Sequence, residues 1–329
     1  MHIIRHLDAL PAAARGGAVS IGNFDGVHRG HLAIVHQLLK RAEEVGGPAI
    51  VFTFDPHPVR LLRPDQCPPP LTWTERKAEL LAAQGVDWIV AYPTDEALLQ
   101  LSASEFFNRI VRDSLAARSL VEGPNFYFGH NREGTIERLA ELAGAAGISL
   151  DIVRPIEVDG AIVSSSRVRE LVGRGDVEQA NKLLSVPYRI RGMVTHGAGR
   201  GAKIGFPTAN LSAIDTLLPA QGVYAGCAWV TPTAEDIPAS APRIPWPAAI
   251  NLGPSPTFGD ATPRVEIHVI GIDEPLYGQP LEVDFLSRLR DIRPFGSPAE
   301  LIEQLQRDVA LVKQLVPVAQ LGGGDAPDR

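Results

Sequence analysis

In the first half of the chain, short apolar runs alternate with stretches of helical spacing. "AVSIG", "AIVFTF", "DWIVAY", "SLVEG" and "SLDIVRPI" read as strands, being short, rich in Val and Ile and bounded by turn residues. Between the first two, Leu32, Val35, Leu38, Leu39, Ala42 and Val45 recur on one helical face, and Gly46-Gly47 supplies the stop. In "SASEFFNRIVRDSL", Ser102 and Glu105 stand at capping-box spacing ahead of an apolar stripe at Phe106, Ile110 and Val111. This alternation predicts an α/β domain with a Rossmann-like parallel sheet, which binds ligands beyond the carboxyl ends of its strands.

The pattern changes near Tyr188. "YRIRGMVTHG", "GVYAGCAWVT", "AAINLG", "RVEIHVIG" and "LEVDFLSRL" are strand-like and broken by Gly and Pro, which predicts a small antiparallel β-barrel. Prolines 232, 238, 242, 245 and 247 predict a long exposed loop over 231–247. "SPAELIEQLQRDVALVKQLV" predicts a terminal helix with Ser297 as N-cap and Pro298 in its first turn. The expected domains are 1–185 and 186–318, followed by a disordered tail over 319–329.

A chain of 329 residues exceeds what one hydrophobic core usually serves, in keeping with two domains. The formal net charge of -7 argues against a broad nucleic-acid footprint. Cys67 and Cys227 lie in different predicted domains, which excludes a disulfide framework and suits a reducing compartment. No apolar run approaches the length of a membrane span, and the opening residues do not read as a signal peptide. The expectation is a cytoplasmic monomer or homo-oligomer acting on small molecules, with neither nucleic acid nor membrane as partner.

Chemistry concentrates first in "GNFDGVHRGH", Gly22 to His31, at a strand-to-helix junction. His28 and His31 could bind a metal, Asp25 and Asn23 could cap the helix, or the imidazoles and the amides of the helix start could converge on a phosphate. "FDPHP", "GPNFYFG" and "SSSRVRELVGRGDVEQANKLL" follow in that order; the last places hydroxyls, helix-start amides and Arg169 where an anion can be held. In the barrel half, "GFPTANL" carries oxygen ligands at Thr208 and Asn210, two positions apart, after a glycine-rich stretch. Strand alternation sets Glu266 and His268 on one face, and a carboxylate facing a barrel interior needs work or a partner.

These stretches resemble, over almost the entire chain, the bacterial bifunctional riboflavin kinase and FAD synthetase (FMN adenylyltransferase) family. "IGNFDGVHRGH" is similar to its His-x-Gly-His signature, which implies that His28 and His31 stabilise charge as the α-phosphate of ATP is attacked and pyrophosphate leaves. The resemblance implies nucleotide contacts at Gly22, Phe24, Asp25, Gly30, Ser164, Ser165, Ser166 and Arg169, and flavin contacts at His57, Pro58 and Asn125. Tyr127 stands where relatives often carry arginine. The "GFPTANL" stretch resembles the riboflavin kinase Pro-Thr-Ala-Asn motif, implying Mg²⁺ and ATP phosphates held by Thr208 and Asn210, with Gly197, Gly201, Gly205, Pro207 and Asn251 around the nucleotide. Relatives often have Gly-Arg where this chain has Gly201-Ala202, and its arginine lies earlier, at Arg200. Glu266 is implied as the base that accepts the riboflavin hydroxyl proton. The implied substrates and products are riboflavin, FMN, FAD and ATP. Two further readings stand beside this one: an enzyme retaining one of the two activities, and a non-enzymatic flavin-binding regulator.

Overall fold

The computed structural model describes residues 2–197, 199–230, 245–255, 260–272 and 274–316. Internal contacts divide the chain into two units, Met1–Ser165 with Leu183–Ser185, and Ser166–Lys182 with Val186–Arg329.

The apolar runs of the first unit form strands, and the amphipathic stretches form the crossovers. In chain order they are β1 (His2–Ile4), β2 (Ala18–Ile21), α1 (Arg29–Val45), β3 (Ala49–Asp55), α2 (Pro58–Leu62), α3 (Thr74–Ala82), β4 (Trp88–Pro93), α4 (Glu96–Leu99), α5 (Ala103–Phe106), β5 (Ser119–Glu122), α6 (Ile136–Ala145) and β6 (Ser149–Ile152). The sheet runs β1-β4-β3-β2-β5-β6 with every pair parallel, as predicted. Strand order reverses between β2 and β5, where a parallel sheet opens a crevice at the carboxyl ends of its strands. The loop after β2 carries Gly22 to His28 into that place.

Val19, Ile21, Ile50, Phe52, Val90 and Leu120 from the strands pack with Phe106, Phe107, Ile110 and Leu115 in one core. Helix α1 buries Val35, Leu38 and Ala42 and stops at Gly46, whose φ of 61° is left-handed. The Ser102–Glu105 capping box forms in both directions. Beyond it the structure corrects the expectation of a regular α-helix: Phe107–Ser114 is a π-helix, and its widened turns bury Phe107, Ile110 and Val111 together. A hairpin of β7 (Glu157–Val158) and β8 (Ala161–Ile162), absent from the sequence reading, completes the unit.

The next elements are α7 (Ser165–Arg174), α8 (Val177–Leu183), β9 (Tyr188–Thr195), α9 (Arg200–Lys203), β10 (Ala209–Ser212), β11 (Gly222–Val230), β12 (Pro245–Ser255), β13 (Asp260–Val269), β14 (Pro280–Arg290) and α10 (Pro298–Leu315). Strands β10-β13-β12-β11-β14-β9 close into an antiparallel barrel, the predicted architecture. Residues 166–182 are tied to this unit by side chains of α8. Glu178 Oε1 accepts from Ser287 Oγ at 2.6 Å and from the Arg288 amide at 2.9 Å. Asn181 donates to the Phe285 carbonyl and accepts from the Tyr188 amide, each at 2.8 Å.

The predicted loop over 231–247 is shorter at its far end, because Pro245 and Pro247 already pair with Trp229 and Cys227 in β12. A proline cannot donate to the ladder, but its carbonyl still accepts, and that of Pro247 takes the Ile270 N–H at 2.8 Å. The rest of that loop, 231–244, and the tail over 319–329 lie outside the described residues. Helix α10 begins as predicted, with the Ser297 side chain accepting from the Glu300 amide and Pro298 in its first turn.

Candidate functional site

In the first unit, the two histidines of "GNFDGVHRGH" lie face to face. Their ring centroids are 3.6 Å apart and the planes differ by 14°. His28 is the N-cap of α1, and its Nδ1 accepts from the His31 backbone amide at 3.3 Å. An accepting Nδ1 is unprotonated, so the remaining ring proton of His28 sits on Nε2. His31 Nδ1 is buried without a hydrogen-bond partner. Burial, then the neighbouring His28 and Lys77, hold the His31 imidazole well below the usual histidine range. A closely stacked pair resists double protonation until an anion offsets the charge.

Gly30 explains the glycine of the motif: a Cβ there would lie 3.2 Å from two ring atoms of His28. The loop is otherwise held by its own side chains. Both carboxylate oxygens of Asp25 accept backbone amides, Leu71 at 3.1 Å to each and Thr72 at 3.1 Å to one. Asp25 is buried in this position, which gives it the turn-shaping work that its residue type allowed alongside a nucleotide contact. Ser165 donates its hydroxyl to the Asp25 carbonyl at 2.8 Å, fixing the same turn from the start of α7. The Phe24 ring lies 5.0 Å from that of His31.

Gly22, Phe24, Asp25, His28, Gly30, His31 and Ser165 are thus gathered in one unit. Ser164 is half-buried just before α7. Ser166, exposed, and Arg169, half-buried, continue that helix and group with the second unit. His57 caps α2 through Nδ1, which accepts the Val59 amide at 3.1 Å, and Pro58 occupies the first turn. Asn125 is exposed beyond the carboxyl end of β5. Tyr127 is also exposed, and the Arg132 guanidinium lies 4.4 Å from its ring centroid. Sequence reading did not single out two buried ionisable groups nearby, Lys77 on α3 and Glu122 at the end of β5. Lys77 sits within an amphipathic helix where a lysine reads as solvated.

In the second unit, a cavity of about 160 Å³ is lined by Gly201, Thr208, Asn210, Asn251, Glu266 and His268 on its polar side. Register explains the convergence: Glu266 of β13 pairs with Asn210 of β10 on one side and Asn251 of β12 on the other. Asn251 Nδ2 donates to Glu266 Oε2 at 3.3 Å, so the asparagine expected around the nucleotide orients the carboxylate. Gly197 leaves room for Asn210, whose amide nitrogen would lie 2.1 Å from a Cβ there. Part of the glycine-rich stretch is the short helix α9, and Gly205 takes a left-handed φ of 86°. Pro207 lies between Phe206 and Thr208, which both line the cavity.

Apolar and cationic residues close the other side of the cavity, among them Ile292, Phe295, Leu301 and Arg290. Arg290 donates from Nη2 to Asp308 of α10 at 2.8 Å, and Asp308 is only 2% exposed. That aspartate went unremarked in the sequence, although an acidic residue on the inner face of an amphipathic helix calls for a partner. Thr208 and Asn210 offer neutral oxygens beside a carboxylate, a donor set that suits a hard divalent cation such as Mg²⁺. Among the described residues, no group of three or more His, Cys, Asp or Glu could hold a metal, and no helix is long and apolar enough to cross a membrane.

A parallel sheet with stacked histidines at its strand-order reversal, joined in sequence to a barrel enclosing Thr, Asn and Glu, defines a class of two-unit nucleotide-dependent transferases. Family models agree with each half: FAD synthetase matches residues 10–167 and riboflavin kinase matches residues 184–316. The bifunctional riboflavin kinase/FMN adenylyltransferase of Pseudomonas fluorescens is 35% identical over 96% of this chain and 98% of its own length. That of Escherichia coli strain K12 is 32% identical over 94% of this chain and 96% of its own. The crystal structure of a macrolide-efflux protein from Streptococcus pneumoniae matches with a TM-score of 0.82 at 28% identity, covering 96% of this chain and 99% of that one. The chain belongs to the bifunctional riboflavin kinase/FMN adenylyltransferase family.

Proposed function

We propose that this protein makes FMN from riboflavin and ATP in its barrel, and FAD from FMN and a second ATP in its α/β unit. Adenylyl transfer is assigned to 1–185 and phosphoryl transfer to 186–318, a division supported by the family matches. The observation that carries the reading is the cavity in which Glu266 faces Thr208 and Asn210, since it unites a base with oxygens suited to a metal-bound polyphosphate.

In the barrel, Glu266, oriented by Asn251, accepts the proton of the riboflavin 5′-hydroxyl as that oxygen attacks the γ-phosphorus of ATP. ADP leaves with the electrons of the broken bond. Thr208 and Asn210 would hold Mg²⁺ and the phosphates. When bound, Mg²⁺ neutralises charge that accumulates on the phosphate oxygens. Gly197, Gly201, Gly205 and Pro207 shape the backbone around the nucleotide.

In the α/β unit, an FMN phosphate oxygen attacks the α-phosphorus of ATP and pyrophosphate departs. His28 and His31 donate ring N–H groups to the oxygens on which charge develops. The orphaned Nδ1 of His31 supports this assignment, because an unpaired buried polar atom is costly unless a ligand satisfies it. Gly22, Phe24 and Gly30 bound this site, and Asp25 and Ser165 hold its loop. Ser164, Ser166 and Arg169 are proposed at the ATP phosphates, and His57, Pro58 and Asn125 at the flavin. The setting is cytoplasmic, the substrates are small molecules, and no nucleic acid is involved.

The test is incubation of purified protein with riboflavin, ATP and Mg²⁺, followed by separation of the flavins. FMN and FAD are expected to appear in turn. FMN alone would leave a kinase, and unchanged riboflavin that remains protein-bound would favour the flavin-binding regulator.

A further inference from the structure

One charged side chain in the α/β unit is buried without any part in the chemistry assigned so far. Lys77, on α3, is 6% exposed, yet its Nζ reaches the hydroxyl of Thr53 at 3.3 Å. Thr53, on β3, in turn donates to the backbone carbonyl of Asn23 at 3.2 Å. Asn23 belongs to the loop that ends in His28. A second connection runs through charge: Asp25 of the same loop and Asp55 at the end of β3 both favour the ammonium, against the burial that pulls Lys77 below the ordinary lysine range. Asp25 meanwhile takes the amides of Leu71 and Thr72, in the segment leading into α3.

A buried lysine loses both hydration and rotamer freedom, so its retention at this spot demands compensation. An aliphatic residue could fill the space. It could not donate to Thr53, balance two carboxylates, or place positive charge near His31.

We propose that Lys77 is a positioning residue for adenylyl transfer, bracing the histidine loop through Thr53 and Asp25 and setting a fixed positive charge near His31. This rests on the adenylyltransferase reading of the unit. His31 feels the charges of His28 and Lys77, and Lys77 in turn feels Asp25 from the loop and Asp55 from β3, the last engaged with Arg5 at 2.8 Å. Lys77 opposes protonation of His31, so the ring stays neutral to lower pH until an anion offsets the charge. Removing its charge lets His31 hold a proton to higher pH. Whichever limb of the pH profile the histidines govern then moves in the alkaline direction.

The experiment compares the full-length wild type with Lys77→Met, Lys77→Arg and Thr53→Val. FAD formation from FMN and ATP is followed between about pH 6 and pH 9. Circular dichroism and thermal melting of each preparation report folding of the α/β unit, and riboflavin phosphorylation reports that of the barrel. For Lys77→Met the expected result is a fall in FAD formation of about tenfold or more, as for loss of a hydrogen bond to a charged group, with the histidine limb displaced to higher pH. Lys77→Arg should return the limb toward its wild-type position.

Wild-type rate and profile in Lys77→Met overturn the proposal, as does a lower rate with an unmoved profile that Lys77→Arg does not rescue. If Lys77→Met fails to fold, Thr53→Val carries the test, since it removes the hydroxyl that joins Lys77 to Asn23 and leaves the lysine in the sequence. A reduced FAD rate with intact FMN formation then supports the proposal, and an unchanged rate overturns it. Absence of FAD formation in the wild type would instead overturn the reading on which the proposal rests.

Discussion

The ring Nδ1 of His268 lies 2.8 Å from the carbonyl oxygen of Pro207. A carbonyl only accepts, so this nitrogen carries a proton and donates it. The bond ties β13, which carries Glu266, to the turn that presents Thr208 and Asn210, while the Phe206 ring meets His268 edge-on at 5.5 Å. His268→Ala is expected to loosen the nucleotide turn more than the base, raising KM for ATP about fivefold, as for one hydrogen bond of about 1 kcal/mol. Steady-state phosphorylation of riboflavin at varied ATP checks this, and FAD formation from FMN should be unchanged.

The two chemistries should separate by mutation. His28→Ala or His31→Ala is expected to slow FAD formation from FMN by about 10²–10³-fold, the usual effect of losing one donor to a developing anion. FMN formation should persist. Glu266→Gln should do the opposite, slowing riboflavin phosphorylation by about 10²–10⁴-fold through loss of a general base. Assaying each half-reaction in each variant tests the division, and loss of both activities in either variant would contradict it.

Glu122 makes stability depend on pH in an unusual direction. It is 2% exposed and accepts the Ile21 amide at 2.7 Å, but burial still holds its carboxyl well above the usual carboxylate range. The unfolded chain releases this proton near its ordinary value of 4.5, whereas the folded chain keeps it. The unfolded state therefore binds fewer protons over that interval, and folding loses stability as pH rises through it. Glu122→Gln retains an acceptor for Ile21 without the ionisation. Relative to wild type it should be more stable at about pH 8 and lose that advantage toward about pH 4, as read by urea unfolding across pH. A gap independent of pH would count against this account.

A buried ion pair fastens the barrel. Asp284, 4% exposed, accepts from Arg189 at 2.5 and 2.7 Å and from Trp229 Nε1 at 2.6 Å, while Arg189 also lies over the Trp229 ring. Removing Asp284 leaves the half-buried Arg189 with Glu282 alone, at 2.9 Å, and Trp229 Nε1 without its acceptor. Asp284→Ala should cost about 3–5 kcal/mol of unfolding free energy. Urea denaturation is the measurement, and a loss below about 1 kcal/mol, typical of an exposed pair, would show that the site is not sealed.

What could be read in advance was whatever local spacing encodes. The strands "AVSIG" and "AIVFTF", the Ser102 box, the Gly46 stop and the Ser297 cap were legible because each is a pattern within a few residues. Pairing across the barrel was less so. Asn251 and Glu266 stand 15 positions apart, and only the β12–β13 register makes one the other's donor. Lys77 was hidden for the same reason: its partners Thr53, Asp25 and Asp55 lie on other elements. The widening at Phe107–Ser114 left no mark because its stripe of apolar residues suits an α-helix equally well.

The grouping of Ser166–Lys182 with the barrel bears on how this chain can be divided. A fragment starting at 186 would contain every barrel strand and every residue assigned to phosphoryl transfer. It would lack Asn181, which clasps the first residue of β9 to the Phe285 carbonyl, and Glu178, which holds β14 at Ser287 and Arg288. A fragment starting at Ser166 keeps both and should melt at the higher temperature. Inheritance, fusion and transplantation of this kinase thus have a natural seam some thirty residues upstream of its chemistry, with two helices travelling as part of the cargo.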